Sequence, residues 1–405
     1  MFVFVLDFYM QFERPITKII ASALLKKLPV FQVLIGPRQV GKTIISSQVQ
    51  KRLPYPSVYA TADNPLPPGV EWIETQWRLA EIEAQNTKKP VVLILDEIQK
   101  IKGWSESIKM HWDYAQRKSQ DIRLLILGSS ALLLQEGLTE SLAGRFFLNH
   151  CPHWSFPECA AAFGWDINKW LYFGGYPGAA IFANNETQWK QYLRDSLIET
   201  VLARDVLQMQ KITKPTLLRH LFALSATFPS QIFSYNKMLG QLQDVGNTTT
   251  LAHYLQLLES AFLVSGLELF SRGHVRKRGS SPKLILWNNA LINALSVRLF
   301  KDAVSDSSWW GRLVENAVGA HLCNSFVGTG YELTYWRDGN QEVDFVVAAG
   351  NCFYGVEVKS GRSDKVSGLK QFKKKYPEGK TLIVGSSGVN LEKFFSKPAT
   401  NWFPG

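Results

Sequence analysis

Cysteine is scarce. The 405-residue chain holds four, Cys151, Cys159, Cys323 and Cys352, with no C-x-x-C pair and no metal-ligand spacing. That argues against a disulfide-stapled scaffold and points to buried thiols in a reducing, intracellular compartment. Long apolar runs are lacking too. The apolar start, Met1 to Phe12, contains Asp7, is too short to cross a bilayer, and carries neither a basic leader nor a small-residue cleavage site. Met10 is an alternative start. A cytoplasmic protein with no membrane partner is the expectation. Internal repeats and low-complexity tracts are also missing.

What is present describes a globular protein: 46% hydrophobic and 20% charged residues. At this length one core is not enough, and two or three domains are expected. The formal net charge is +11, and residues 271–405 hold 19 Lys and Arg against 11 Asp and Glu. A basic excess gathered in the last third suggests an acidic polymer as partner, with DNA favoured.

The stretch Gly36-Pro37-Arg38-Gln39-Val40-Gly41-Lys42-Thr43 fits the phosphate-loop pattern G-x-x-x-x-G-K-[ST]. The apolar run Phe31 to Ile35 precedes it and a helical pattern, Ile44 to Leu53, follows. Strand, glycine loop and helix turn backbone N–H groups toward a phosphate chain. Lys42 would reach the β- and γ-phosphates of ATP, and Thr43 would offer its hydroxyl to Mg²⁺. A second apolar run, Pro90 to Leu95, ends in Asp96-Glu97. A strand buried on both faces of a parallel sheet delivers such acids to the ligand crevice at its carboxyl end. Asp96 is the candidate Mg²⁺ holder and Glu97 the candidate activator of the attacking water. After a third run, Leu124 to Leu127, Ser129 or Ser130 is placed to sense the γ-phosphate or to cap the next helix. Arg145, after Gly144, is either an arginine finger, acting on its own or a neighbouring subunit of a homo-oligomer, or a surface salt bridge.

Earlier in the chain, an amphipathic helix is expected over 11–30, a proline-rich loop over Pro54 to Pro68, and a helix over 70–86. Residues 186–230 read as helical, and 234–270 as a winged helix-turn-helix whose second helix offers Thr248, Thr249, Thr250, His253 and Gln256 but no Lys or Arg. The basic stretch Arg272 to Arg278 is a wing tip or a solvated linker.

Near the end, Gln341 to Val347 and Tyr354 to Lys359 alternate with period two around Gly350-Asn351, a two-residue hairpin signal. With the turn there, paired residue numbers sum to 701. Asp344 then faces Glu357 and Glu342 faces Lys359, while Val343, Phe345, Val347, Tyr354, Val356 and Val358 share the opposite face. Opposed carboxylates roughly 5 Å apart repel unless something cationic intervenes. A divalent metal held by Asp344 and Glu357 would supply that charge. The alternative is a solvated face with a Glu342–Lys359 salt bridge.

Asp344 followed by Glu357-x-Lys359 on adjacent strands resembles the PD-(D/E)XK nuclease core, although Val343 stands where the strict pattern has proline. The resemblance implies Mg²⁺ or Mn²⁺ on the acids, Lys359 orienting the attacking water, and Glu315 as the helical acid. More broadly, the chain resembles prokaryotic AAA-type ATPases with a winged-helix middle and a carboxy-terminal domain of unknown function. The matching stretches include Leu95-Asp96-Glu97-Ile98-Gln99, Gly128-Ser129-Ser130, Gly174-Gly175-Tyr176-Pro177, Arg204-Asp205 and Glu357-Val358-Lys359-Ser360. Asn288-Asn289 stand where an Asp-Thr/Ser pair is expected. The resulting expectation is an α/β fold in three parts: a P-loop parallel-sheet ATPase domain over 11–185, a helical and winged-helix domain over 186–275, and a small PD-(D/E)XK-like domain over 276–405. The implied function is an ATP- and Mg²⁺-dependent ATPase coupled to a DNA-binding, DNA-cleaving end. The alternative is a nucleotide switch that binds a protein partner through an inactive nuclease-like domain.

Overall fold

The apolar runs beside the glycine loop and the acid pair form strands with no solvent-facing residue. In the computed structural model these are β1 (Phe31–Ile35) and β3 (Val91–Asp96), and the other strands of this sheet are β2 (Ser57–Thr61), β4 (Ile122–Gly128) and β5 (Phe146–His150). The model describes residues 12–405 apart from 67, 129–137, 139–140, 207–211, 213, 243–246, 273–280 and 362–366. Ser129, Ser130, Gly246, the start before Phe12 and all but Arg272 of the basic stretch thus lie outside the described residues, as do the side chains of Arg204 and Asp205. The chain divides into two compact units, Met1–Cys151 and Pro152–Gly405.

In the first unit the sheet runs β2-β3-β4-β1-β5 with every pair parallel. All five strands therefore end at one edge, and β4 stands between the loop strand and the acid strand. Helix α1 (Pro15–Leu24) opens the unit with Pro15 at its first position and buries Thr17, Ile20, Ala21 and Leu24. It stops at Leu24, well short of the expected residue 30. Helix α2 (Lys42–Arg52) follows the glycine loop, and α3 (Glu71–Thr87) and α4 (Trp104–Arg117) pack on each other. Trp77 of α3 is 1% exposed, and Trp112 of α4 meets Phe31 edge-on with centroids 5.2 Å apart. Burying an apolar side chain of this kind stabilises by roughly 1.5–3 kcal/mol. The expected loop over Pro54 to Pro68 is corrected by β2. Its mixed burial is that of an edge strand with one paired side, which is why no apolar run announces it.

In the second unit, two π-helical turns (Leu193–Ile198 and Val201–Val206) precede α5 (Pro215–Thr227). Then come α6 (Tyr235–Leu242) and α7 (Thr248–Ser260), the latter capped by Asn247, whose Oδ1 accepts from the Thr250 amide at 2.7 Å. An antiparallel pair follows, β6 (Val264–Leu267) with β7 (Lys283–Leu286). Helices α8 (Asn289–Leu295) and α9 (Ser307–Phe326) lead to β8 (Tyr331–Asp338), β9 (Gln341–Ala349) and β10 (Cys352–Lys359). Helix α10 (Ser367–Lys375) and β11 (Lys380–Gly385) complete a sheet ordered β11-β10-β9-β8, parallel only between β10 and β11.

The β9–β10 register pairs Ala349 with Cys352 and Phe345 with Val356, as the sum of 701 predicts, and Gly350 supplies the positive φ of 57° that the turn needs. The acid-bearing face is less open than expected. Farther along it, Val346 and Phe353 pack with Leu369 and Phe372 of α10.

Asn288 and Asn289 hold this unit together. Asn288 Oδ1 accepts from the amides of Gly175 and Ala290, both at 3.1 Å, while Asn289 Nδ2 donates to the carbonyls of Leu171 (2.7 Å) and Leu313 (2.9 Å). Gly175 also lies so close to the Trp154 carbonyl that a Cβ would overlap it. Gly175→Ala is therefore expected to lower stability by about 1–3 kcal/mol, the usual cost of overpacking. A melting temperature equal to wild type in a thermal unfolding scan would remove the packing explanation for this glycine.

Candidate phosphate-loop and lysine–carboxylate sites

At the carboxyl edge of the first sheet, β1 leads through Gly36–Gly41 into α2. Gln39 (φ 59°) and Gly41 (φ 95°) take left-handed conformations, the sharp turning the loop requires. Gly36 abuts Cys151 so closely that a Cβ would overlap its carbonyl oxygen, and the Cys151 amide donates to Ile35 O at 2.7 Å. Arg14, 4% exposed, donates to Cys151 Sγ (3.0 Å) and to Val40 O (3.4 Å). The loop is thus braced from β5 and from the start of α1. Neither Arg14 nor Cys151 carries a sequence signal for that role.

Lys42 is 8% exposed, and its Nζ donates to the loop's own carbonyls, Gly36 O at 2.8 Å and Pro37 O at 2.7 Å. Burial pulls its pKa below the usual lysine value, and the charges of Glu97, Cys151 and Asp96 oppose that pull. Thr43 Oγ1 donates to Asp96 Oδ2 at 3.2 Å, across from β3, and the Tyr59 hydroxyl of β2 donates to the same oxygen at 2.9 Å. Burial and then the Asp96 charge raise the Tyr59 pKa, so the phenol stays a donor. The sequence reading missed Tyr59, whose only signal is its place in an alternating pentapeptide inside a proline-rich stretch. Glu97 follows with φ 55° and accepts from Gln99 Nε2 at 2.6 Å. A hydroxyl and a carboxylate side by side are the hard oxygen donors Mg²⁺ takes, so Thr43 and Asp96 fit that ion.

Arg145 stands at the opposite edge. Its carbonyl accepts from the amide of Phe31, the first residue of β1, while the loop begins after Ile35, the last. Four residues of strand span roughly 13 Å. Its guanidinium forks onto Asp113, Nε to Oδ1 at 2.7 Å and Nη2 to Oδ2 at 2.9 Å. The expectation that it acts on its own chain's phosphate is corrected by this placement.

In the second unit Glu315, Glu342 and Asp344 do come together, but on a residue the sequence reading passed over. Lys283, the first residue of β7, is fully buried, and its Nζ lies 2.7 Å from Glu315 Oε1, 3.3 Å from Glu342 Oε1 and 3.6 Å from Asp344 Oδ1. Burial alone would lower its pKa, but Glu315, Asp344 and Glu342 more than offset this and hold it above the ordinary value. Asp344 Oδ2 accepts from the Val358 amide at 2.7 Å. Lys359 Nζ donates to Glu357 Oε1 at 2.7 Å, so in place of the alternative Glu342–Lys359 bridge the structure has Glu357–Lys359 and Glu342–Lys283 pairs. The metal expected on Glu315, Asp344 and Glu357 does not fit the acids as arranged. An ammonium already lies against two of them, and among the described residues no group of three or more His, Cys, Asp or Glu is disposed to hold a metal.

Residues 30–160 match the family model of the AAA domain. With the phosphate loop on a five-stranded parallel α/β sheet, this part of the chain is an AAA-type P-loop ATPase domain. Residues 164–302 and 310–395 match two domains of unknown function, DUF8612 and DUF4143. Uncharacterized proteins of Mycobacterium bovis and Mycobacterium tuberculosis are each 27% identical over 351 residues, 85% of this chain and 73% of theirs. Among solved structures, the Walker-type ATPase of Pyrococcus abyssi is similar at TM-score 0.46 and 14% identity, covering 70% of this chain and 95% of its own. The RuvB Holliday junction branch migration motor of Thermotoga maritima is similar at 0.33 and 15%, covering 66% and 93%. Among the described residues no helix is long and apolar enough to cross a membrane.

Burial and the Asp344 charge push the Glu357 carboxyl from 4.5 up to about 7. The folded chain thus holds this proton more tightly than the unfolded one. The associated stability is complete below about pH 4.5 and is lost as pH rises through about 7. Melting temperatures taken across that range should fall more steeply for wild type than for Glu357→Gln. Parallel profiles would show that Glu357 titrates as an ordinary carboxylate.

Proposed function

We propose that the chain is an ATP- and Mg²⁺-dependent ATPase whose carboxy-terminal domain, in the last third of the chain, binds DNA. The observation that carries the first part is the Thr43–Asp96 hydrogen bond beside a seated Lys42. Lys42 exchanges loop carbonyls for phosphate oxygens as ATP enters, and the amides of Gly36 to Thr43 take the remaining charge. Thr43 and Asp96 hold Mg²⁺, which when bound neutralises charge on the β- and γ-phosphates. Glu97, steadied by Gln99, orients the attacking water. Arg145 completes a site only on a neighbouring subunit of a homo-oligomer, given its place at the far edge of the sheet.

For the second half, the helix pair α6–α7 followed by the β6–β7 pair supports the winged-helix reading. A helix before three antiparallel strands, then a helix and a parallel strand, supports the PD-(D/E)XK-like reading. DNA binding rests on the basic excess of this third and on exposed Lys370, Lys373, Lys374 and Lys375 of α10. One observation favours an inactive form of the nuclease-like domain over a cleaving one. Glu315, Glu342 and Asp344 are committed to Lys283. The protein-partner switch shares that inactive domain and differs in lacking the salt-dependent affinity for DNA.

Lys42→Ala should lower ATP turnover on the order of 10²–10³-fold, the cost of one preorganised donor to developing charge. Glu97→Gln should retain ATP and hydrolyse it slowly. Wild-type turnover by either variant would show the site misassigned. DNA affinity should fall linearly with salt on logarithmic axes, with a slope of about −0.9 per neutralised phosphate. Affinity indifferent to salt, or absent, would favour the protein-partner switch. Incubation of single- and double-stranded DNA and RNA with Mg²⁺ or Mn²⁺, with and without ATP, should leave them intact. Cleavage that is lost in Lys359→Ala would restore the cleaving form.

A further inference from the structure

The acids of the second unit raise a charge problem that the fold has already solved. Glu315, Glu342, Asp344 and Glu357 bring four carboxyl groups to the start of β9 and the end of β10. A divalent cation would compensate them if their inward oxygens were free. They are not. Glu315 Oε1, Glu342 Oε1 and Asp344 Oδ1 face Lys283 Nζ at 2.7, 3.3 and 3.6 Å. Asp344 Oδ2 is taken by the Val358 amide and Glu357 Oε1 by Lys359. Glu357 Oε2, in a residue 8% exposed, is buried with no hydrogen-bond partner among the described residues.

Lys283 cannot swing away as a surface lysine would. Its backbone pairs with Leu267 on one side and bridges Ile232 on the other, its side chain is fully buried, and its ammonium lies 5.1 Å from the centroid of the Phe345 ring. Removing an ammonium from water costs several kcal/mol and is tolerated only with close opposite charge. Here the counter-charges are the acids themselves, so cation and anions are mutually required.

We propose that Lys283 is a resident counter-ion that does the electrostatic work of a divalent cation among Glu315, Glu342 and Asp344, and that replacing it by a neutral side chain turns these acids into a site for a hard divalent cation. The proposal stands on the ion pairs and needs no nuclease activity in the wild-type chain. Oxygen donors from two strands and a helix, with one unpartnered carboxylate oxygen beside them, are the donor chemistry of Mg²⁺, Mn²⁺ or Ca²⁺.

The test uses the full chain without nucleotide, melted in EDTA and in millimolar Mn²⁺ at matched ionic strength, with Mn²⁺ titration calorimetry alongside. Wild type and Asp344→Asn should shift equally with the metal, since any Mn²⁺ held at Thr43 and Asp96 acts on both alike. Lys283→Met should melt lower than wild type in EDTA, as the acids lose their cation, and Mn²⁺ should raise it by several degrees more than it raises wild type. Lys283→Met combined with Asp344→Asn should lose that rise, which separates this site from any Mn²⁺ held at Thr43 and Asp96. Mn²⁺ binding to wild type that disappears in Asp344→Asn would overturn the proposal, because metal would then displace the lysine. So would a folded Lys283→Met whose shift with the metal does not exceed that of wild type. Should Lys283→Met fail to fold in EDTA, refolding into Mn²⁺ decides: recovery of the folded chain supports the proposal. Failure there passes the same test to Lys283→Gln, where a folded chain whose shift with the metal does not exceed that of wild type overturns it and a larger shift supports it.

Discussion

A lysine ammonium taken out of water must find oxygen atoms, and the kind of oxygen it finds decides what it can still do. Lys42 rests on two backbone carbonyls, which carry partial charge only and leave its full positive charge available to a phosphate. Lys283 rests among three carboxylates, which use its charge up. The two units thus contain one cation held ready and one cation committed. The first suits a site that gains and loses an anionic ligand. The second suits a permanent joint between β7, α9 and β9.

The first unit was largely legible because a parallel sheet constrains its strands severely. Strands buried on both faces must read as unbroken apolar runs, and their carboxyl ends must meet. Gly36 to Thr43 and Asp96-Glu97 could therefore be brought together from sequence. What escaped was the support. Tyr59 sits on an edge strand with mixed burial, and Arg14 and Cys151 act through shape and proximity. Arg145 forms the salt bridge that was one of its readings, with Asp113, and its distance from the glycine loop could not be read from distance along the chain.

In the second unit the hairpin was readable, since period two and Gly350-Asn351 define both faces and pairing. Its chemistry was only half readable. The repulsion between Asp344 and Glu357 called for a nearby cation, and two lysines answer it: Lys359 on Glu357, and Lys283, far earlier in the chain, beside Asp344. A lone lysine at the head of Lys283-Leu284-Ile285-Leu286 looks like an ordinary strand-end charge, and only the packing of β7 beside α9 reveals otherwise. Asn288-Asn289 were similarly opaque, because their partners are backbone groups of Leu171, Gly175 and Leu313.

The turn at Gly350-Asn351 acts on the hairpin as a reading frame acts on a message. Adding or deleting one residue there would slide β10 by one position against β9, and every side chain beyond the turn would exchange faces. Glu357 and Lys359 would be carried into the apolar layer while Val356 and Val358 came to lie beside Lys283 and its acids. A change of two residues would restore the phase. The length of this turn, more than the identity of any one acid, keeps charge and oil on their proper sides.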